Sequence, residues 1–266
     1  MKAIEISSLD LSIVAGLMLL FSGFTFWQQL HIERSLLIGA ARAWIQLWII
    51  GILLKILFHH VSVTWILLFV LAMFLVAIHE VHARQHHQLV TKWRYAMSAG
   101  SLFLTAFSLV MFTLWALIHP PLWYQPQYLL PLLGMVLANT MTGVSLSMDS
   151  FMGSLVSQEA MILQRLALGQ SAKEAVSDLR REAVRRALIP SINAMATAGI
   201  VSLPGMMTGQ IIAGSSPTLA VKYQILILFL ITISTGLGIL LALHWLFRYL
   251  FDERERLRLE RIKNYK

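Results

Sequence analysis

The sequence predicts an all-α, polytopic membrane protein of about seven transmembrane helices. Hydrophobic residues make up 58% of the 266-residue chain and charged residues only 13%, roughly half the ~25% charge of a soluble domain. The apolar residues gather into long uncharged stretches, and the basic residues fall between alternate stretches. A water-soluble globule of this size has nowhere to hide so much apolar surface, and disorder requires the opposite balance of hydrophobicity and charge. With no cysteine, disulfides, thiolate nucleophiles and thiolate metal sites are excluded.

A helix crosses ~30 Å of hydrocarbon with about 20 residues. The uncharged stretches centre on Leu11–Trp27, Ala43–Leu57, Val61–Ile78, Ala96–Ile118, Tyr128–Met148, Ile192–Gly214 and Gln224–Phe247. The first lacks a basic leading region and an Ala-x-Ala-like cleavage site, so Leu9 to Trp27 is expected to stay as a span. Lys55 interrupts the second near its far end, where a lysine snorkels to the headgroups. The third is short and ends near Ile78 or His79. Trp27, Trp65, Trp123, Tyr124 and Tyr128 stand near span ends, as an aromatic belt requires.

Orientation follows from the cations. Arg34, then Arg84, Lys92 and Arg94, then Arg165, Lys173, Arg180, Arg181, Arg185 and Arg186, then the tail 248–266 follow spans one, three, five and seven. The other side carries Lys2, Lys222 and the charge-free loop 119–127. The positive-inside rule places the N-terminus outside and the C-terminus in the cytoplasm of a cell membrane, the bacterial inner membrane by this reading. The net charge of +8 is read in the same way, and no nucleic-acid partner is expected. The whole chain, 1–266, forms one transmembrane domain with a cytoplasmic coupling region at 149–190 and a basic tail at 248–266. That tail is expected to form a surface helix touching anionic lipid or a partner protein.

The coupling region carries the most local detail. The stretch 150–168 reads as span five continuing as a helix into the cytoplasm, with Glu159 and Arg165 among its apolar residues. Gly169 breaks it. Ser171-Ala172-Lys173-Glu174 is a capping box and starts a second helix from Ala172 to about Leu188. Asp178 with Arg181 and Glu182 with Arg186 are at supportive helical spacing, and Pro190 marks the end or a kink. A helix, an elbow and a second helix make a rigid lever on which another protein can push. The alternative is an ordinary charged connector.

Several segments carry a family resemblance. Gly39-Ala40-Ala41-Arg42-Ala43-Trp44-Ile45-Gln46-Leu47 resembles the G-R-A-x-x-Q-L pattern of FetB-type permeases. Leu168-Gly169-Gln170-Ser171 is similar to their cytoplasmic L-G-A-[ST] elbow. The run from Gly199 to Gly209, with Leu203-Pro204-Gly205-Met206-Met207 at its centre, is similar to their longest signature. Ala220-Val221-Lys222-Tyr223-Gln224 is close to their A-x-K-Y-Q stretch. These permeases are the membrane subunits of a bacterial ABC system associated with iron export, and plant relatives are linked to aluminium tolerance. The resemblance implies a cytoplasmic ATPase partner, a homodimer of permease subunits and an elbow that receives the push. Glu159, Gly169, Ser171 and Glu174 are the coupling candidates, although Glu159 lies further before Gly169 than the Glu-Ala-Ala of general ABC importers.

Candidate pathway residues come next. The uncharged run from Ala187 to Val221 contains Pro204 and Gly205, so a helix break is expected there. Freed carbonyls at membrane depth are tolerated only against protein or a wet cavity, which makes Pro204, Gly205, Met206 and Met207 pathway candidates. The alternative is a packing kink filled by methionines. Thioether sulfur suits soft ions, so the methionines do not identify a substrate. Arg42 and Gln46 share a helix face, and ionisable groups within spans are functional candidates. Asn139 lies in Gly134-Met135-Val136-Leu137-Ala138-Asn139-Thr140-Met141, similar to the family's G-M-x-x-G-N-x-M. It either lines the pathway or stitches helices together. His79, His82 and His86 fall on one helical face, but His-Glu-x-His is not a zinc-protease motif. They read as weak metal candidates or as interfacial, pH-responsive histidines.

No G-x-x-x-x-G-K-[ST] loop occurs in the sequence, so ATP hydrolysis is expected on a separate subunit. No enzymatic activity and no resident cofactor are expected. The reading is a permease that exports iron. The alternative is an ion-gradient-driven secondary transporter of a metal or small solute, which would need an intramembrane carboxylate or inverted repeats. No acidic residue is read well inside any span, since Asp10 and Asp149 lie near span ends. A metal-responsive membrane sensor using the histidines is a third possibility.

Overall fold

The computed structural model describes residues 7–59, 62–90 and 93–264. Lys2, Val61, Lys92 and Lys266, which entered the span and charge reading, lie outside the described residues. Six helices among them are long and apolar enough to cross a membrane. They begin with α1 (Ser8–Trp27), α2 (Glu33–His59) and α3 (Val63–Ala83). The fourth, Trp93–Ile118, combines α4 (Trp93–Leu102) and α5 (Ser108–Thr113) with π-turns at Phe103–Phe107 and Leu114–Ile118. The fifth and sixth are α6 (Pro126–Ser157) and α11 (Pro217–Leu250). At ~1.5 Å rise per residue both exceed the hydrocarbon thickness, so each carries its register beyond the bilayer.

The longest helix contact is between α6 and α11. Small residues let them approach. A Cβ on Gly143 would lie 2.5 Å from the Thr235 methyl, and one on Gly238 would lie 2.7 Å from the Thr140 methyl. The Thr140 and Ser234 hydroxyls hydrogen-bond at 2.8 Å across the same contact. Close backbone approach and interhelical hydrogen bonds are what hold helices together where lipid is as apolar as leucine. Around this pair, α3, α4 and the α5 segment build the buried cluster. α1 packs on α2 at the periphery, and among the described residues of α2 only Leu57 is buried. Trp27, Trp65, Trp123 and Tyr128 are exposed, and Tyr124 is half-buried.

Four expectations need correction. The stretch Ile192–Gly214 is not a continuous span. After α7 (Glu159–Ala167) and α8 (Ala172–Ala175), helix α9 (Ser177–Thr197) ends at an extended Ala198, and Gly199 has φ +85°. Helix resumes only at α10 (Gly205–Ile212), with Pro204 as its N-cap. Second, the elbow's second helix is divided at Val176 (φ −115°, ψ 12°) and then runs through Pro190 rather than stopping near it. Third, Asp178 pairs with Arg165 across the elbow rather than with Arg181; Glu182 and Arg186 pair as expected, at 2.7 Å.

Fourth, the tail is not a surface helix. Past Leu250, Asp252 accepts the backbone N–H groups of Arg254 and Arg256 at 3.0 and 2.9 Å, a side-chain turn that competes with helix. The chain then reaches β2 (Ile262–Asn264), which pairs antiparallel with β1 (His87–Leu89), Leu89 opposite Ile262. This two-stranded ribbon is the only sheet among the described residues.

Candidate functional site

A groove of about 390 Å³ opens between α2, α3 and α6. Its walls are almost wholly apolar. Gln46 and Glu80 are the polar lining groups, and Met73 and Met141 contribute thioethers. One turn before Gln46, Arg42 donates to Glu80 Oε1 at 2.5 Å, and Arg84 Nε donates to Oε2 at 3.4 Å. The Glu80 side chain is 14% exposed and that of Arg42 is 55% exposed. A carboxylate beside apolar helices is costly unless it is paired, and the guanidinium groups of Arg42 and Arg84 supply that pairing.

Arg42 and Gln46 stand one turn apart on α2, Arg42 bonded to the Glu80 carboxylate and Gln46 lining the same groove as Glu80. Sequence reasoning weighed Glu80 only as part of His-Glu-x-His. Its signal was present: an acid inside a 21-residue apolar helix, four residues before Arg84.

The other pathway candidates lie outside this groove. Asn139 is exposed on α6 beside the groove-lining Ala138, and its amide donates to the Met135 carbonyl of its own helix at 2.8 Å. Pro204 and Gly205 start α10, and the Thr208 hydroxyl donates to the Pro204 carbonyl at 3.2 Å. Met206 and Met207 are half-buried, Met206 against the apolar cluster. The break expected from Pro204 and Gly205 is present. Ile200 and Val201 in the non-helical stretch are 92% and 79% exposed.

The histidines do not converge. His82 is buried, with Nδ1 3.3 Å from Gln85 Oε1 and Nε2 3.1 Å from the Ser98 hydroxyl, so both ring nitrogens are engaged. His79 is exposed on α3. His86 lies beyond the end of that helix, so the single helical face stops at His82. Among the described residues no group of three or more His, Cys, Asp or Glu side chains is placed to hold a metal ion.

The elbow is built from local signals and one long-range pair. Gly169 has φ +87°, a conformation in which a Cβ is strained. Its N–H bonds the Leu166 carbonyl at 3.0 Å and the Gln170 N–H bonds the Arg165 carbonyl at 3.1 Å, the paired bonds of a Schellman stop. Ser171 and Glu174 then cap each other, with the carboxylate accepting the Ser171 N–H at 3.0 Å. The Ser171 hydroxyl and N–H hold the Glu174 carboxyl below its ordinary pKa.

Arg165 bridges the turn with bonds of 2.8 and 2.9 Å to both Asp178 oxygens and 2.7 Å to the Ala175 carbonyl. This fork depresses the Asp178 pKa. Glu159 opens α7 on the exposed surface. Ser171→Ala is expected to cost about 1 kcal/mol of helix start, read as a lower unfolding midpoint in detergent.

The tail fastens this elbow, because Glu255 accepts the Ala172 N–H at 2.9 Å. Asp252, which shapes the tail turn, has its pKa lowered to about 2, chiefly by the Arg256 N–H. Its contribution is thus fully present above the ordinary value near 3.8 and is lost as pH falls through about 2. Asp252→Asn should imitate that loss at neutral pH, and the tail should become susceptible to limited trypsin cleavage at Arg254 and Arg256.

Residues 8–251 match the family described as uncharacterised protein family UPF0014. The chain is 35% identical over 259 residues to a UPF0014 membrane protein of Synechocystis, covering 96% of this chain and 97% of that one. It is 30% identical over 236 residues, 89% of each chain, to the probable iron export permease protein FetB of Escherichia coli. It is 31% identical over 204 residues to the protein ALUMINUM SENSITIVE 3 of Arabidopsis thaliana, 77% of this chain and 72% of that one. No solved structure matches it. With the match running through all six long helices and the elbow, the chain belongs to the UPF0014 family of multi-pass membrane proteins.

Proposed function

We propose that this chain is the membrane subunit of an ABC-type exporter of a metal cation, iron first among the candidates, working as a homodimer on separate ATPase subunits. The observation that carries the reading is the elbow. A Schellman stop at Gly169, a capping box at Ser171 and Glu174 and the Arg165–Asp178 fork hold α7, α8 and α9 as one stiff projection. A stiff projection transmits a displacement at its tip to α9 and α11, whereas a loose loop absorbs it. The N-terminus then lies outside and the C-terminus in the cytoplasm, with the elbow facing the ATPase.

The name of the Escherichia coli relative supports the substrate class. In this reading the groove at Gln46 and Glu80 lies on the pathway, with carboxylate and amide oxygens as the polar donors and Arg42 as the group a cation must displace. Asn139 and the break at Pro204 to Met207 line the path elsewhere in the dimer.

A second reading, an ion-coupled carrier, is favoured by Glu80, a carboxylate in the last turn of the long span α3.

The elbow is tested by Gly169→Pro. Proline fixes φ near −65° and removes the N–H that bonds Leu166. In vesicles holding this chain and its ATPase, transport should fall at least about tenfold while ATP hydrolysis continues. Transport at the normal rate would refute the lever.

A further inference from the structure

A cleft of about 440 Å³ lies where the elbow meets the spans. Lys173 of α8, Arg180, Arg181, Val184 and Arg185 of α9, and Leu240 of α11 line it. Among the described residues no carboxylate is paired with any of these four cations. The nearby acids are engaged elsewhere: Glu174 with Ser171, Asp178 with Arg165 and Glu182 with Arg186. Four positive charges converging on one cleft repel each other unless an anion joins them.

The position of the cleft identifies that anion. Arg180, Arg181 and Arg185 immediately precede the uncharged half of α9, which begins at Ala187. Leu240 belongs to an apolar span and is 43% exposed. It precedes Arg248, at the end of that span, by roughly 12 Å of helix rise. The cleft thus has a mouth of four cations and an apolar wall that continues along the exposed face of the α11 span. A soluble anion would use only the mouth. A phospholipid fills both.

We propose that this cleft binds an anionic phospholipid of the leaflet nearest the elbow, its phosphate held by Lys173, Arg180, Arg181 and Arg185 and an acyl chain lying along Val184 and Leu240. The lipid would tie α8, α9 and α11 together beneath the elbow. The inference requires only that the chain spans the membrane, and it stands or falls separately from the transport reading.

The test is a binding titration of the full chain in neutral detergent with short-chain phosphatidylglycerol, phosphatidylcholine and free glycerol phosphate. Phosphatidylglycerol should bind at least about tenfold more tightly than phosphatidylcholine. The triple variant Arg180→Gln/Arg181→Gln/Arg185→Gln should erase that preference. Lys173→Gln alone, which leaves α9 intact, should weaken phosphatidylglycerol about fivefold. Arg34→Gln/Arg248→Gln/Arg254→Gln, removing equal charge elsewhere, should leave the preference in place.

Any of four results overturns the proposal. One is absence of a preference in the wild-type chain. Another is an equal loss in the distant triple variant, which would show a diffuse field. Glycerol phosphate binding as tightly as the lipid would make this a soluble-anion site. Retained lipid preference in the cleft variants, with co-purification of the ATPase lost, would make the cleft a protein dock.

Discussion

Leucine at Gly143 or Gly238 is expected to keep α6 and α11 from closing, so that the chain inserts but yields no monodisperse protein. The two contacts interlock. The Cβ position of Gly143 is 2.5 Å from the Thr235 methyl, and that of Gly238 is 2.7 Å from the Thr140 methyl. Threonine is branched at Cβ and stiff at χ1, so neither methyl can swing aside, and the backbones must separate. Separation would also stretch the 2.8 Å Thr140–Ser234 hydrogen bond.

Alanine is the graded version, expected to cost about 1–3 kcal/mol of overpacking and to lower the unfolding midpoint in detergent. Thr235→Ser removes the methyl opposite Gly143 and should recover most of the Gly143→Ala loss. It should do nothing for Gly238→Ala. Equal behaviour of the two alanine variants towards Thr235→Ser would contradict the proposed interlock.

Charge reversal at Arg42 is the second large effect. Arg42→Glu would set a carboxylate against Glu80, leaving Arg84, now 3.4 Å from one oxygen, as the remaining counter-charge. Because the Arg42 side chain is 55% exposed, solvent screens the pair, and its loss costs about 1 kcal/mol, to which the new like-charge repulsion adds. Transport should be lost, and the contact of α2 with α3 and α6 should weaken. Arg42→Glu/Glu80→Arg restores the pairing and should recover the fold. Unimpaired transport by the single variant would remove the groove from the pathway. Loss of transport in the folded double variant would show that the order of the charges matters as well as their pairing.

How legible these features were in sequence depends on their range. The long spans were readable because a bilayer imposes length and hydropathy on each helix separately. The elbow was readable for a similar reason: Ser171 and Glu174 are three residues apart, and Gly169 sits at the stop they frame. The Arg165–Asp178 fork forms only once the elbow has turned, so local spacing suggested Arg181 instead. Pro204 and Gly205 announced a break, although the uncharged run still counted as one span. Its non-helical centre leaves α10 too short to cross alone.

The tail misled the reading because its partner is distant. Nothing near Ile262 signals pairing with Leu89, and the helical pattern of charge after Arg248 is overridden by the turn at Asp252. Glu80 was read only within His-Glu-x-His because its histidine neighbours offered a more familiar motif, whereas its partner Arg42 lies on another helix. The small residues at Gly143 and Gly238 were visible, but their opposition depends on the α6–α11 register.

The central claim concerns the energy source, and it is tested most directly by uptake of iron into inside-out vesicles. Proteoliposomes holding this chain alone, under an imposed proton gradient, should accumulate no iron. Addition of the ATPase partner and ATP should start accumulation, and a substitution of the partner's Walker lysine should stop it. Gradient-driven accumulation by the lone chain would contradict the account and assign Glu80 to an ion-coupled carrier.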